Sequence, residues 1–348
     1  MPDSKHSRRK DDHLAEAAKP AMQGHGSNGF DRIRLTHQAL PELSLDEIDT
    51  SAELFGHRFS MPLMIGAMTG GSEKGDAINL ILSEAASQMN VPLALGSQRA
   101  ALMDADATPQ KALREASPNA FLIGNLGATQ LAVAGGVDLA LRAVASIQAN
   151  ALAIHLNPLQ ELVQPDGDTD WRGVTKALAT LVEQTDAPIL VKEVGAGLSA
   201  QAVIALYEAG IRHIEIAGKG GTNWARIEQA RRENSTDSLT APFLDWGIPT
   251  LDALQAALAL RETMPDLQII ASGGLRHGLD SAKTCWLGAD FTAAAQPFLL
   301  TALENTHEKA VAATIERLKQ WQKQIAMTCF LTASKGLHSL STADGQIL

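Results

Sequence analysis

Eight short runs of apolar and β-branched residues recur along the chain, at 62–67, 92–96, 121–125, 151–157, 188–193, 213–217, 268–273 and 290–295. Each is nearly continuously apolar rather than alternating, as parallel strands buried on both faces are. Amphipathic stretches separate them, among them 76–89, 130–148, 171–185 and 200–209. Eight alternating strands and helices predict an α/β chain closed into a (β/α)8 TIM barrel. An open doubly wound sheet usually carries a G-x-G-x-x-G turn after its first strand. Here the first run leads into Ala67-Met68-Thr69-Gly70-Gly71, a different turn. Residues 1–60 precede the rhythm as an N-terminal extension, 61–336 form the barrel, and 337–348 read as a tail. The stretch 219–247 is a long insertion after the sixth strand, and 299–336 reads as helices on the closing side. Insertions of that length in a compact domain are usually functional or disordered.

Composition narrows what such a barrel does. Of 348 residues, 45% are hydrophobic, enough for a large core. Lys and Arg number 29 against 39 Asp and Glu, a formal charge of −10 that argues against nucleic acid or an anionic membrane as partner. The two cysteines, Cys285 and Cys329, exclude a disulfide scaffold and a Cys-rich metal site. Both read as packing residues suited to a reducing cytoplasm. No apolar stretch reaches membrane-spanning length, and residues 1–22 lack the apolar centre of a signal peptide. The expectation is a cytoplasmic protein acting on a small molecule.

Barrel chemistry gathers at the C-terminal ends of the strands. The seventh run ends Ser272-Gly273-Gly274-Leu275-Arg276. Two glycines there let backbone approach an anion, and a following helix would aim free N–H groups at the same place. The backbone at Ala295 and Gln296 adds donors, so a phosphate seat is favoured over a plain glycine turn. Lys192 sits within a buried strand, where lysine is rare unless paired. Glu193 is its neighbour in sequence but points to the opposite face, so Lys192 reads as a cation for a bound anion or electron-rich ring. His155, Asn157, Gln160 and Glu161 form the densest polar group. Glu161 reads equally as a Mg2+ ligand or as a helix-start residue, and His155 equally as an interior histidine. Ser7-Arg8-Arg9-Lys10 is a basic run followed by His13 and a helix-like stretch, 12–19, stopped by Pro20. It reads as a solvated tail unless that helix docks over the barrel mouth.

Taken in order, the strand ends resemble the type 2 isopentenyl-diphosphate isomerases, which are FMN-dependent barrel enzymes. The resemblance is carried by Arg9-Lys10-Asp11-Asp12-His13, Leu40-Pro41-Glu42-Leu43, Met68-Thr69-Gly70-Gly71 and Gly96-Ser97-Gln98-Arg99. It continues through His155-Leu156-Asn157-Pro158-Leu159-Gln160-Glu161, Val191-Lys192-Glu193-Val194-Gly195 and Gly220-Gly221-Thr222-Asn223-Trp224. Asp245-Trp246-Gly247-Ile248-Pro249-Thr250 and Ser272-Gly273-Gly274-Leu275-Arg276 complete it. The histidine-to-glutamate run and the basic N-terminus are its most specific parts. Asn223 stands where the family often has serine, and nothing from Leu337 onward aligns.

The resemblance implies FMN with its phosphate at Gly273, Gly274, Leu275, Arg276, Ala295 and Gln296. Its ring would lie against Ala67, Met68, Thr69, Ser97, Asn125, Lys192 and Thr222. The diphosphate of the substrate would be held by Arg9, Lys10, Arg99, His155 and Asn157, with His13, Ser97 and Gln98 on the same side. Glu161 would hold Mg2+, and Gln160 would lie beside the reacting carbons. The implied reaction interconverts isopentenyl and dimethylallyl diphosphate by proton addition and removal. Reduced flavin would act as acid and base, and NADPH would reduce it without being consumed at each turnover. Homo-oligomers, tetramers or octamers, are implied as well.

Shifting a proton between two carbons of an unactivated alkene needs an acid and a base close together. The strand ends hold no free cysteine, no tyrosine and no evident carboxylate pair, and the single tyrosine, Tyr207, falls in a helical stretch. Chemistry delegated to a cofactor fits that poverty. The diphosphate supplies binding energy remote from the reacting carbons. The rivals are a 2-hydroxy-acid oxidase, for which His277 would have to be the base, and a catalytically silent phospholigand barrel. A histidine-based metal enzyme is disfavoured, since no two histidines show ligand spacing on one element.

Overall fold

Each of the eight runs marks one strand of a closed parallel barrel in the computed structural model, which describes residues 4–23, 27–103, 108–231, 239–304 and 306–348. The strands are β1 Leu63–Ile65, β2 Leu93–Ala94, β3 Leu122–Gly127, β4 Ala151–Leu156, β5 Ile189–Glu193, β6 His213–Glu215, β7 Gln268–Ser272 and β8 Phe291–Ala294. Neighbours in sequence pair, and β8 closes on β1 with Thr292 opposite Leu63.

The alternation of side chains decides where the site lies. Inward positions low in the barrel are apolar on seven strands: Met64, Ala94, Ile123, Ala153, Leu190, Ile270 and Phe291 pack as one cluster, and β6 places His213 beside Leu190, against Phe55 at 4.7 Å. The antiparallel pair Ala52–Leu54 and His57–Phe59 closes that end, with Leu54 and Phe59 in the same cluster. Two residues further along the same inward faces stand Asn125, His155, Lys192 and Ser272. The barrel is therefore filled mostly with hydrocarbon below, His213 excepted, and with polar groups above. Outward positions such as Ile65, Leu152, Val191 and Ile269 pack against the surrounding helices.

Several boundaries differ from the sequence pattern. The stretch 130–148 is two helices, Ala128–Leu131 and Gly136–Ile147, separated at Gly135, whose φ of 77° is easy only for glycine. The closing side is covered by Gln296–Ala302 and the 25-residue helix His307–Leu331. Trp321 of that helix is buried against Phe298, and its indole donates to Ser281 Oγ at 2.8 Å. Residues 337–348 are not a loose tail. They hold the helix Leu337–Leu340 and a strand, Gly345–Ile347, paired antiparallel with Ile33–Leu35 of the N-terminal extension. In the insertion, the helix Trp224–Ala230 starts at an Asn223 side-chain cap, and a 3-10 turn follows at Ala241–Phe243. Among the described residues, no helix is long and apolar enough to cross a membrane.

The extension begins with the helix Ser4–Ala17, then a short turn at Pro20–Met22. Leu14 and Ala17 are buried in the main core, while Lys10 and His13 line the cavity at the barrel mouth. The docked arrangement holds, and the solvated tail does not.

Candidate active site

A cavity of about 1200 Å³ opens at the C-terminal ends of the strands. It is lined by Lys10, His13, Ala67, Met68, Thr69, Ser97, Arg99, Asn125, His155, Asn157, Gln160 and Glu161. Lys192, Thr222, Gly273, Gly274, Leu275, Arg276, Ala295 and Gln296 complete the predicted set. Residues spread over most of the sequence thus share one space. The side chain of Arg9 lies outside the described residues.

Gln98 is the exception. Its Oε1 accepts from Asn125 N at 2.9 Å and its Nε2 donates to the carbonyl of Ala143 at 3.1 Å. Gly124 opposite makes the room, since a Cβ there would stand 2.8 Å from Gln98 Oε1. Gln98 braces the barrel wall and does not face the cavity.

At the inner end, Lys192 Nζ donates to the carbonyl of Glu193 at 2.6 Å and lies 3.8 Å from Glu215 Oε1. Glu215 was not singled out in the sequence, yet it lines the cavity from β6. Ser272 Oγ donates to its Oε1 at 2.8 Å, and its Oε2 is buried without a partner. Thr69 Oγ1 is likewise buried without a partner. Glu193 turns away from the cavity as its strand position requires. Its Oε2 accepts from the amides of Val194, Gly195, Ala196 and Gly197, which fixes the loop after β5. Burial pushes the Glu193 carboxyl up, while those amides and Lys192 pull it back.

Asn125 Nδ2 donates to the carbonyl of Leu95 at 2.8 Å, so its Oδ1 faces His155 Nδ1, also at 2.8 Å. That assigns the proton to Nδ1. Burial first, then the positive charges of Lys192 and Lys10, push His155 down to about 3. The ring is neutral at working pH and brings no positive charge to a diphosphate. Its expected role there is corrected: with the proton on Nδ1, Nε2 is left as an acceptor, so the neutral ring offers a diphosphate oxygen no donor.

Nearer the rim, Asn157 Nδ2 donates to Gln160 Oε1 at 3.2 Å and Glu161 Oε1 at 3.0 Å, so one buried amide orients both. Gln160 Nε2 donates to Glu228 Oε1 at 2.9 Å. Glu228 is fully buried and also meets His13 at 2.9 Å and Arg231 at 2.9 Å. It is a second carboxylate that the strand ends could not reveal, because it comes from the insertion helix. His13 stacks edge-on against Trp224 at 5.5 Å, and Ser72 Oγ donates to Asp11 Oδ1 at 2.8 Å. These contacts seat the N-terminal helix over the mouth. Arg99 meets Asp168 at 3.2 Å on the open rim, and the amide of Asp168 donates to Glu161 Oε2 at 2.8 Å.

At the proposed phosphate seat, Gly273 and Gly274 have φ of 108° and 84°. A Cβ on either would stand 2.2 Å from Gly218 O or 2.4 Å from Gly220 O. Packing of β7 against the loop after β6 therefore demands glycine, ligand or not. The following helix, Gly278–Leu287, does not aim free amides at the seat as expected. The amide of Gly278 donates to Gln324 Oε1 and that of Asp280 to His277 Nδ1. Arg276 bridges Gln296 Oε1 at 3.0 Å and Gln23 Oε1 at 2.9 Å. Gln23 also reaches Thr222 Oγ1 at 3.3 Å.

The cavity exceeds what one small ligand needs. Its bare Thr69 and Glu215 oxygens and the enclosed Lys192 ammonium suit a heteroaromatic ring with both donors and acceptors, so the residues fit FMN. Among the described residues, no group of three or more His, Cys, Asp or Glu could hold a metal. Glu161 alone fits Mg2+ only if water and phosphate oxygens complete its shell. His277 caps its helix and faces Asp280 at 3.4 Å, outside the cavity lining, so it is not placed as the base an oxidase needs. Burial pushes both thiols up, Cys329 to about 12, which keeps them unreactive.

The chain matches the FMN-dependent dehydrogenase family over residues 12–122 and 153–343. The flavin-binding domain of baker's yeast flavocytochrome b2 has the same architecture, with a TM-score of 0.73 at 18% identity over 97% of this chain and 82% of that one. A mandelate oxidase carrying an FMN adduct superposes with a TM-score of 0.66 at 13% identity, over 100% of this chain and 97% of that one. At such identities the likeness is one of fold. The class is thus an FMN-dependent barrel. Two proteins named isopentenyl-diphosphate delta-isomerase are far more similar in sequence. That of Xanthobacter autotrophicus is 43% identical over 98% of this chain and 97% of its own. That of Stutzerimonas stutzeri is 44% identical over 96% and 95%. The chain belongs to the isopentenyl-diphosphate delta-isomerases. Its reaction is an isoprenoid isomerisation, between isopentenyl and dimethylallyl diphosphate.

Proposed function

We propose that the inner end of the cavity seats the FMN ring and that the rim seats the diphosphate of the substrate. Ala67, Met68, Thr69, Ser97, Asn125, Lys192 and Thr222 take the ring, and Gly273 to Arg276 with Ala295 and Gln296 take its phosphate. Lys10 and Arg99, with Arg9, bind the anionic end of the substrate by charge-assisted hydrogen bonds. Glu161 holds Mg2+ that shares phosphate oxygens. Asn157 and Glu228 fix Gln160 at the reacting end. The N-terminal helix and Trp224 keep water from the reacting carbons. What FMN supplies, when bound and reduced, is a proton donor and acceptor beside the alkene. NADPH serves as its reductant and is not consumed with each product. The reading extends to a cytoplasmic homo-oligomer, carried by the family resemblance.

The observation that carries this reading is the division of one cavity into a buried floor around Lys192 and Glu215 and a rim bearing Lys10 and Arg99. A ring with little net charge suits the first, and a diphosphate the second. Reconstitution tests it. The apoprotein should take up FMN with a visible spectrum, and dimethylallyl diphosphate should form from isopentenyl diphosphate only with FMN, NADPH and Mg2+ together. Full activity with any one of the three omitted and absent from the protein would remove that component.

A further inference from the structure

Lys192 and Glu215 stand opposite one another in the parallel register of β5 and β6, and both enter the barrel. Their side chains are 7% and 4% exposed. The Nζ to Oε1 distance is 3.8 Å, longer than a direct hydrogen bond and short for charges with no water between them. Ser272 completes the row from β7. It accepts from the amide of Ala217 at 3.0 Å and donates to Glu215 Oε1 at 2.8 Å. Glu215 lines the cavity, and its Oε2 is buried with no hydrogen-bond partner.

A carboxylate with one bare oxygen is an expensive way to fill a barrel. The layer beneath shows the cheaper solution, with Leu190 and Ile270 at inward positions. Its placement needs a reason, and the nearest cation is Lys192. Reduction adds electrons to a flavin ring, so a lone ammonium against it would favour the reduced, anionic form. A carboxylate at 3.8 Å from the ammonium takes most of that bias away.

We propose that Glu215 is a positioning residue for the cofactor: it would hold the Lys192 ammonium against the flavin ring and balance its charge. The inference rests on the reading that the ring lies against Lys192. Glu215 needs no contact with the substrate to act this way. Ser272 keeps it in place by occupying the oxygen nearest the lysine.

The test is FMN binding to the apoprotein in oxidised and reduced forms, in four proteins. Glu215→Gln keeps the shape and removes the charge. It should bind reduced FMN more tightly relative to oxidised, by roughly tenfold in the ratio of the two Kd values. A merely structural role would shift both Kd values together and leave that ratio alone. Lys192→Met strands a buried carboxylate and should weaken FMN binding by two orders of magnitude or so. Adding Glu215→Gln to it removes the stranded charge, so the double variant should bind FMN more tightly than Lys192→Met does. The same change thus acts through Lys192 in one background and relieves its loss in the other. Melting of each apoprotein reports folding. If Lys192→Met does not fold, the ratio measured on Glu215→Gln decides alone. An unchanged ratio, or a double variant no better than Lys192→Met, overturns the inference while the flavin reading stands. A wild-type protein that takes up no FMN overturns both.

Discussion

At the floor of the cavity, Asn125, His155, Lys192, Glu215 and Ser272 project from neighbouring strands held in register. At the rim, Lys10 and His13 come from the extension, Arg99 from after β2, Gln160 and Glu161 from after β4, and Glu228 and Arg231 from the insertion. Floor positions are dictated by backbone pairing, which fixes where each side chain enters the barrel. Rim positions are dictated by side-chain contacts between segments far apart in sequence, such as Glu228 to Gln160, His13 and Arg231. The floor is thus pre-formed, as a resident cofactor requires. The rim is assembled from parts that can respond to a ligand that comes and goes. Changes at the floor should appear as failures of folding or cofactor loading. Changes at the rim should appear as failures of affinity or turnover in a loaded protein.

The largest expected effect is at the floor's edge. Gly274→Val would drive a Cβ into Gly220 O at 2.4 Å from a backbone with φ of 84°. It should cost about 3 kcal/mol or more, read as a fall in Tm or loss of folded protein. A folded, colourless Gly274→Val would show that the glycine serves only a ligand.

At the rim, Arg9→Ala with Lys10→Ala should weaken apparent substrate affinity by on the order of a hundredfold, with FMN content and Tm unchanged. Equal loss of FMN would erase the distinction between floor and rim. A smaller effect is expected from Glu161→Gln, which exchanges a charge for an amide and leaves an oxygen for only one of its two donors, Asn157 Nδ2 and the amide of Asp168. FMN should stay bound, and the response of activity to Mg2+ concentration should weaken about tenfold or more. An unaltered Mg2+ response would leave Glu161 as a helix-start residue.

A further effect is one of pH. His155 lies near 3 when folded, against an ordinary 6.5. Between those values the unfolded chain binds a proton that the folded chain does not. Stability therefore falls as pH drops from about 6.5 towards 3, by up to about 1.4 kcal/mol per pH unit. His155→Gln should flatten that part of the Tm against pH curve. An identical curve would mean that the ring titrates normally and belongs with the exposed rim.

How much was legible in the sequence follows the same division. Burial on both faces leaves continuous apolar runs, so all eight strands could be read. The strand ends could be read as well, because polar residues stop such runs. Glu215 could not, since a single carboxylate within His213–Glu215 says nothing of its direction until the register with Lys192 is known. Gln98 misled for a related reason. It follows a strand only two residues long, and the chain after it turns the amide into the wall. Glu228 was hidden because the insertion gives no strand end to count from. The Gly273-Gly274 pair pointed to the right place for an incomplete reason, since backbone packing against Gly218 and Gly220 requires it independently. The end of the chain looked featureless because a three-residue strand, Gly345–Ile347, takes its partner from more than three hundred residues earlier.

The central claim is that the flavin at the floor serves an isomerisation whose substrate is held at the rim. Substrate and product have the same formula, so the cycle returns the flavin to its starting redox state. The most direct measurement is the number of dimethylallyl diphosphate molecules formed per NADPH oxidised, anaerobically, in deuterated water with Mg2+ and excess isopentenyl diphosphate. The account predicts many products for each NADPH, with solvent deuterium in the product. One NADPH consumed for each product, or turnover that stops when a trace of NADPH is spent, would contradict it.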